Sequence, residues 1–94
     1  MRVTVKYFTA LREVTEKRRE EVELSGSVTV EGLLRLLSKK YGPRFTDYVY
    51  DEHGKVRSHL QFLVNGRSIT TLQGFGTRLK DGEEFAIIPP VGGG

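Results

Sequence analysis

The sequence contains no cysteine and no tryptophan, one methionine, and three prolines, two of which are adjacent at Pro89-Pro90. Without cysteine there is no disulfide, no thiolate metal ligand and no internal thiol nucleophile. A chain without disulfides suits a reducing compartment, and the cytoplasm is the expected location. No apolar run approaches the roughly 18 residues of a membrane span. The opening MRVTVKYF alternates charged and apolar residues and has no apolar h-region, so neither a signal peptide nor a membrane partner is expected. A block of like charge is also missing. Lys plus Arg number 15 against 12 acids, for a net charge of +3 and a pI near 9.4. EKRREEVE mixes both signs within one short stretch, so the surface reads as solvated rather than built for nucleic acid. The two histidines, His53 and His59, have no third convergent ligand in sequence, which argues against a bound metal. No GxSxG stands near a Ser-His-Asp set. The glycine pair in QGFGTR has no strand-to-helix context for a phosphate loop.

What is present is one compact domain's worth of patterned chain. At 94 residues it is long enough to bury about 60–65% of its unfolded surface. Residues 1–8 alternate with period two, Val3, Val5 and Tyr7 on one face and Thr4, Lys6 and Phe8 on the other, which predicts a strand. Residues 9–16 read as a polar connection and 19–24 as a second strand, completing a hairpin with a long loop. The period then changes. Val30, Leu33, Leu34, Leu37 and Tyr41 follow helical spacing, with Thr29 as N-cap, Glu31 in the first turn, Lys39 and Lys40 in the last, and Gly42-Pro43 as the stop. Residues 44–58 read as irregular, with a hairpin-like turn at Glu52-His53-Gly54-Lys55. Residues 60–64 form a strand closed by Asn65-Gly66, residues 68–80 a long connection, and residues 84–88 the last strand after Asp81-Gly82. The expectation is an α+β fold, a mixed sheet with one main helix on one face and the first and last strands central.

Two features point to function. If Val3, Val5, Tyr7, Phe62, Val64, Phe85 and Ile87 face the helix, parity turns Phe8, Leu63 and Ile88 to the opposite face, where they form an apolar patch. The chain then ends IIPPVGGG. Pro89 and Pro90 fix an extended exit, and Val91 follows. Residues 90–94 reach roughly 16 Å when extended. Gly92, Gly93 and Gly94 carry no side chains, so this end can enter a channel too narrow for other residues, with an α-carboxylate at its tip.

The ending PPVGGG resembles the PPVxGG terminus of molybdopterin synthase small subunits, the MoaD family. VKYFTALRE is similar to that family's first strand and loop, VTVEGLLRLLSKKYG to its helix, and FLVNGRSI and LKDGEEFAIIPPVGGG to its later strands and tail. The resemblance covers essentially the whole chain. Added length around residues 45–55 and 69–78 is more like archaeal members, some of which resemble ubiquitin-type modifiers; the third glycine departs from the usual ending.

The resemblance implies the β-grasp fold of ubiquitin over residues 1–94, with a flexible tail at 90–94. It also implies a carrier rather than a self-contained catalyst. An E1-like adenylating enzyme (MoeB type) grips the Phe8, Leu63, Ile88 face and Pro89, Pro90 and Val91. It uses ATP to activate the Gly94 carboxylate, which is then converted to a thiocarboxylate. No cofactor is held permanently. The large synthase subunit (MoaE type) supplies the pocket in which sulfur passes to the molybdopterin precursor. The alternative is a small archaeal modifier whose activated Gly94 is captured by lysines of substrate proteins. Sulfur carriage for thiamin or tRNA thiolation, or nucleic-acid binding with an incidental tail, are further readings.

Overall fold

The structure, a computed structural model, describes residues 1–90. The sequence expectations for residues 91–94 therefore lie outside the described residues. Strand β1 (Arg2–Lys6) buries Val3 and Val5 on one face, as its alternation requires. It pairs antiparallel with β2 (Arg19–Glu23), Val3 opposite Val22. The final strand β7 (Glu84–Ile88) lies on the other side of β1 and parallel to it, with Val5 opposite Phe85. On its far edge β7 pairs antiparallel with β4 (Gln61–Val64), which turns at Asn65-Gly66 into the short β5 (Arg67–Ser68). Both turn residues have positive φ, 50° and 80°, the conformation that an Asn-Gly hairpin turn uses. The sheet order is β2-β1-β7-β4-β5, so the two chain ends supply central strands, as expected.

Helix α2 (Val30–Tyr41) covers the inner face. Its Thr29 cap is made: the Gly32 N–H donates to Thr29 Oγ1 at 3.1 Å. Val30, Leu33, Leu34 and Leu37 are completely buried against Val5, Phe85 and Ile87 in one continuous core. Gly42, at φ 80°, ends the helix by donating its N–H to the Ser38 carbonyl.

Three segments read as loops carry regular structure. Residues 9–16 contain α1 (Ala10–Thr15), whose Leu11 and Thr15 share one face and are buried; the Thr15 hydroxyl donates to the Leu11 carbonyl. Its flanking residues Thr9 and Glu16 have positive φ, a boundary signal that neither residue type advertises. Residues 44–58, expected to be irregular, begin with α3 (Pro43–Val49). The Gly-Pro pair that stops α2 also starts α3, because proline is well suited to a first helical position, and Phe45 and Val49 one turn apart bury that face. Beyond it Tyr50 and Val56 bridge across the expected turn, in which Asp51 Oδ1 accepts from the N–H groups of His53 and Lys55. Residues 68–80 form two 3-10 turns, Ile69–Thr71 and Gly74–Gly76, and then β6 (Arg78–Leu79), which pairs with β3 (Val28–Thr29) as a separate two-stranded sheet. This segment anchors on the buried side chains Ile69 and Leu79 and packs beside α2, leaving the outer sheet face open.

Candidate functional site: the outer sheet face and the root of the tail

The three central strands present their second residue set outward: Thr4 and Lys6 from β1, Glu84, Ala86 and Ile88 from β7, and Gln61 and Leu63 from β4. Ala86 sits between Lys6 and Leu63, and Ile88 lies opposite Gln61. Phe8 lies two residues past Lys6, beyond the end of the paired register. Phe8, Leu63, Ile88 and Pro89 are half-buried, and Pro90 is exposed. Leu63 and Ile88 of the expected patch thus share the outer face, and Phe8 follows Lys6 at the same parity beyond the end of β1. Val91, Gly92, Gly93 and Gly94 lie outside the described residues.

Charges frame this strip. Lys6 Nζ lies 3.1 Å and Arg19 Nη2 3.3 Å from the two oxygens of Glu84. The Arg12 guanidinium sits 5.2 Å from the Phe8 ring centre, and its Nε donates to the Tyr7 carbonyl at 3.0 Å. Neither Arg12 nor Arg18 makes an ion pair within 4.0 Å among the described residues. Lys6, Phe8, Arg12, Arg18 and Arg19 together line a shallow cavity of about 250 Å³. Sequence parity brings Phe8 to this face, but not Arg12, which arrives because α1 turns it back over the ring.

Behind Phe8 the strand end is fixed by Glu20. Its Oε1 accepts from the hydroxyls of Tyr7 and Tyr41, each at 2.5 Å, and its Oε2 from Lys40 Nζ at 2.8 Å. Lys17 Nζ closes the cluster, donating to the Tyr41 hydroxyl at 3.0 Å. Burial alone would push the Glu20 carboxyl up. Hydrogen bonds from Lys40, Tyr41 and Tyr7 outweigh it and hold the group at about 2. Tyr7 is displaced upward, first by its own burial and then by its bond to the Glu20 carboxylate. The carboxylate therefore stays ionised and pins the end of β1, β2 and the C-terminal turn of α2 together on the inner face, where Glu20 stands opposite Val5.

No group of three or more His, Cys, Asp or Glu side chains converges among the described residues. His53 stands exposed in its turn, 3.8 Å from Glu52. Among the described residues no helix is long and apolar enough to cross a membrane.

A mixed five-stranded sheet embracing one main helix, with parallel first and last strands at its centre, places the molecule in the ubiquitin-like β-grasp class. The comparisons agree: over its whole length the structure superposes on all of the crystal structure of SAMP1 from Haloferax volcanii, with a TM-score of 0.85 at 30% identity. It also matches a chain from the Amycolatopsis orientalis BexX/CysO complex, with a TM-score of 0.75 at 28% identity, covering 98% of this chain and 99% of that one.

Residues 5–94 match the ThiS family, and the chain belongs to it. Among curated relatives, small archaeal modifier protein 3 of Haloferax volcanii is 32% identical over 94 residues, 100% of both chains. A molybdopterin synthase sulfur carrier subunit of Mycobacterium tuberculosis is 38% identical, covering 100% of this chain and 99% of that protein.

Proposed function

We propose that this protein is a ubiquitin-like sulfur carrier, the small subunit of a molybdopterin synthase. The observation that supports this most directly is the placement of β7. The central strand of the sheet runs past a half-buried apolar strip and leads into a segment of prolines and side-chain-free glycines. A rigid handle and a slender reactive end are thereby joined without an intervening loop. The named sulfur carrier among the relatives matches the chain along its full length.

An E1-like adenylating enzyme of the MoeB type docks on Phe8, Leu63 and Ile88, with Arg12 at the rim, and receives Pro89 through Gly94. The Gly94 carboxylate attacks the α-phosphorus of ATP and expels pyrophosphate. Oxide is a poor leaving group whereas AMP is a good one, so the acyl-adenylate can be attacked by the outer sulfur of a persulfide, releasing AMP. A second thiol then cleaves the sulfur–sulfur bond, leaving a thiocarboxylate on Gly94 and a disulfide on the donor. The thiocarboxylate is anionic at neutral pH and a soft nucleophile. In the pocket of a MoaE-type large subunit its sulfur bonds to the pterin precursor, and water hydrolyses the resulting thioester, leaving the sulfur on the precursor and a carboxylate on Gly94. The protein itself holds no cofactor in this cycle; ATP belongs to the activating enzyme.

Exchange of one carboxylate oxygen for sulfur adds roughly 16 Da, a difference fixed by the two atomic masses once the terminal carboxylate is converted. Intact mass after incubation with an E1-like enzyme, ATP and a sulfur donor is expected to show that increment, and an unchanged mass where a known carrier is charged would refute the proposal. Removing residues 92–94 is expected to abolish charging while leaving the thermal midpoint unchanged.

A second reading is supported by the modifier named among the relatives: the activated Gly94 forms isopeptide bonds with lysines of other proteins. Tryptic peptides carrying a C-terminal remnant of this chain on lysine distinguish it from sulfur transfer alone.

A further inference from the structure

A second surface lies away from the tail, along the outer edge of β4. The antiparallel ladder with β7 places Asn65 opposite Glu84, and the Asn65 N–H donates to the Glu84 carbonyl at 2.8 Å. Bonded pairs alternate in such a ladder, so Leu63 and Gln61 also turn their main-chain groups toward β7, while those of Val64 and Phe62 turn to the opposite edge. There β5 pairs only with Val64 and Leu63, opposite Arg67 and Ser68. Past Ser68 the pairing stops, and the Phe62 N–H meets no backbone partner on that edge among the described residues. Beside it opens a cavity of about 380 Å³, walled by Leu60, Phe62, Ile69 and Phe75. Phe75 forms its rim. Its ring meets Phe62 edge-on at 5.5 Å yet is 38% exposed, one of the two most exposed large apolar side chains described. An open strand edge next to an apolar cavity has the form that accepts an added extended strand, whose main chain pairs while alternate side chains enter the pocket.

The charge around this groove selects the occupant. Arg57 is the only charged residue lining it, and Arg67 stands on the adjoining β5. Neither makes an ion pair within 4.0 Å among the described residues. A second copy of the chain would bring the same two cations to the same edge. We propose that the open edge of β4 binds an extended segment of a partner protein, with an aliphatic or aromatic side chain in the Phe75 cavity and carboxylates facing Arg57 and Arg67. This site is separate from the Phe8, Leu63, Ile88 face and does not depend on the sulfur-carrier reading. It would let the carrier be held by one protein while its tail is processed by another.

The test is an NMR titration of the full-length protein with a synthetic peptide of alternating valine and isoleucine flanked by aspartates. The expected result is saturable shifts at the amides of Phe62, Ile69 and Phe75, with a Kd below about 1 mM. Arg57→Glu should weaken this peptide by about fivefold or more and tighten a lysine-flanked version, a reversal that loss of packing alone would not produce. Phe75→Ser, on the exposed rim, should weaken both. Deletion of residues 92–94 should change neither, although it removes charging. Unmoved amides at about 5 mM peptide would overturn the proposal. So would shifts confined to Phe8, Leu63 and Ile88, or concentration-dependent shifts at Phe62 without peptide, which would assign the edge to a second copy.

Discussion

The two faces of the central sheet are made by alternate residues of the same strands and differ completely in what they present. Inward, Val3, Val5, Phe62, Val64, Phe85 and Ile87 are each no more than 4% exposed. Outward, their immediate neighbours Thr4, Lys6, Leu63, Ala86 and Ile88 are all half-buried, and an ion cluster at Glu84 crosses between strands. One face is committed to stability; on the function proposed above, the other is left for contact with another molecule. Because side chains alternate with a period of two, adjacent residues can be substituted to disturb one role and spare the other.

The largest stability effect is expected inside. Phe85 is completely buried and stacks on Phe62 at a ring separation of 6.0 Å. Phe85→Ala should cost about 3–5 kcal/mol through lost transfer energy and the cavity left behind. Urea denaturation measures it. A loss under about 1 kcal/mol would mean that the two faces are not divided as described.

Next comes the Glu20 anchor at the edge of the inner face. Glu20→Gln keeps the shape but removes the charge that accepts from Lys40 and both tyrosines, and should cost about 2 kcal/mol at neutral pH. The native carboxyl titrates near 2 against an ordinary value of 4.5, so the folded state binds this proton less readily than the unfolded chain. Its stabilisation is complete above about 4.5 and fades as pH falls toward about 2. The gap between native protein and Glu20→Gln should therefore narrow over that window, and a gap constant from neutral pH down to about 2 would contradict the assignment.

How much of this division is visible without coordinates follows from how local each cause is. The inner face, α2 with its Thr29 cap, the Asn65-Gly66 turn and the central place of the end strands are set by alternation, helical spacing and turn chemistry, all readable along the chain. That Leu63 and Ile88 turn to the same outer face is legible from parity for the same reason. Helix α1 is not, because it is held by the single buried contact face of Leu11 and Thr15 between two residues of positive φ. Helix α3 hides behind a Gly-Pro pair that serves as both stop and start. Arg12 reaches back to nearby Phe8 and Tyr7 only because α1 forms, while the Glu20 anchor and the open β4 edge beside Phe75 are made by residues distant in sequence. Lys40 and Glu20 are 20 positions apart, and no period or spacing connects them.

The smallest effect on folding, and the sharpest on recognition, is expected at Phe8. It is half-buried and touches the core only through its neighbours, while the Arg12 guanidinium rests above its ring. Phe8→Asp places a carboxylate within reach of that cation, so the free protein should keep its stability within about 0.5 kcal/mol. An apolar partner surface closing over the same spot would have to bury the new charge. Capture of the adenylating enzyme or of the large synthase subunit should weaken about tenfold or more, equivalent to about 1.4 kcal/mol. Phe8→Leu, which restores apolar area without the ring, should recover most of it. Surface plasmon resonance with each partner reads both variants. Undiminished binding by Phe8→Asp would remove Phe8 from the docking face. Equal losses in Phe8→Asp and Phe8→Leu would show instead that the ring, and the cation held over it, form the recognised feature.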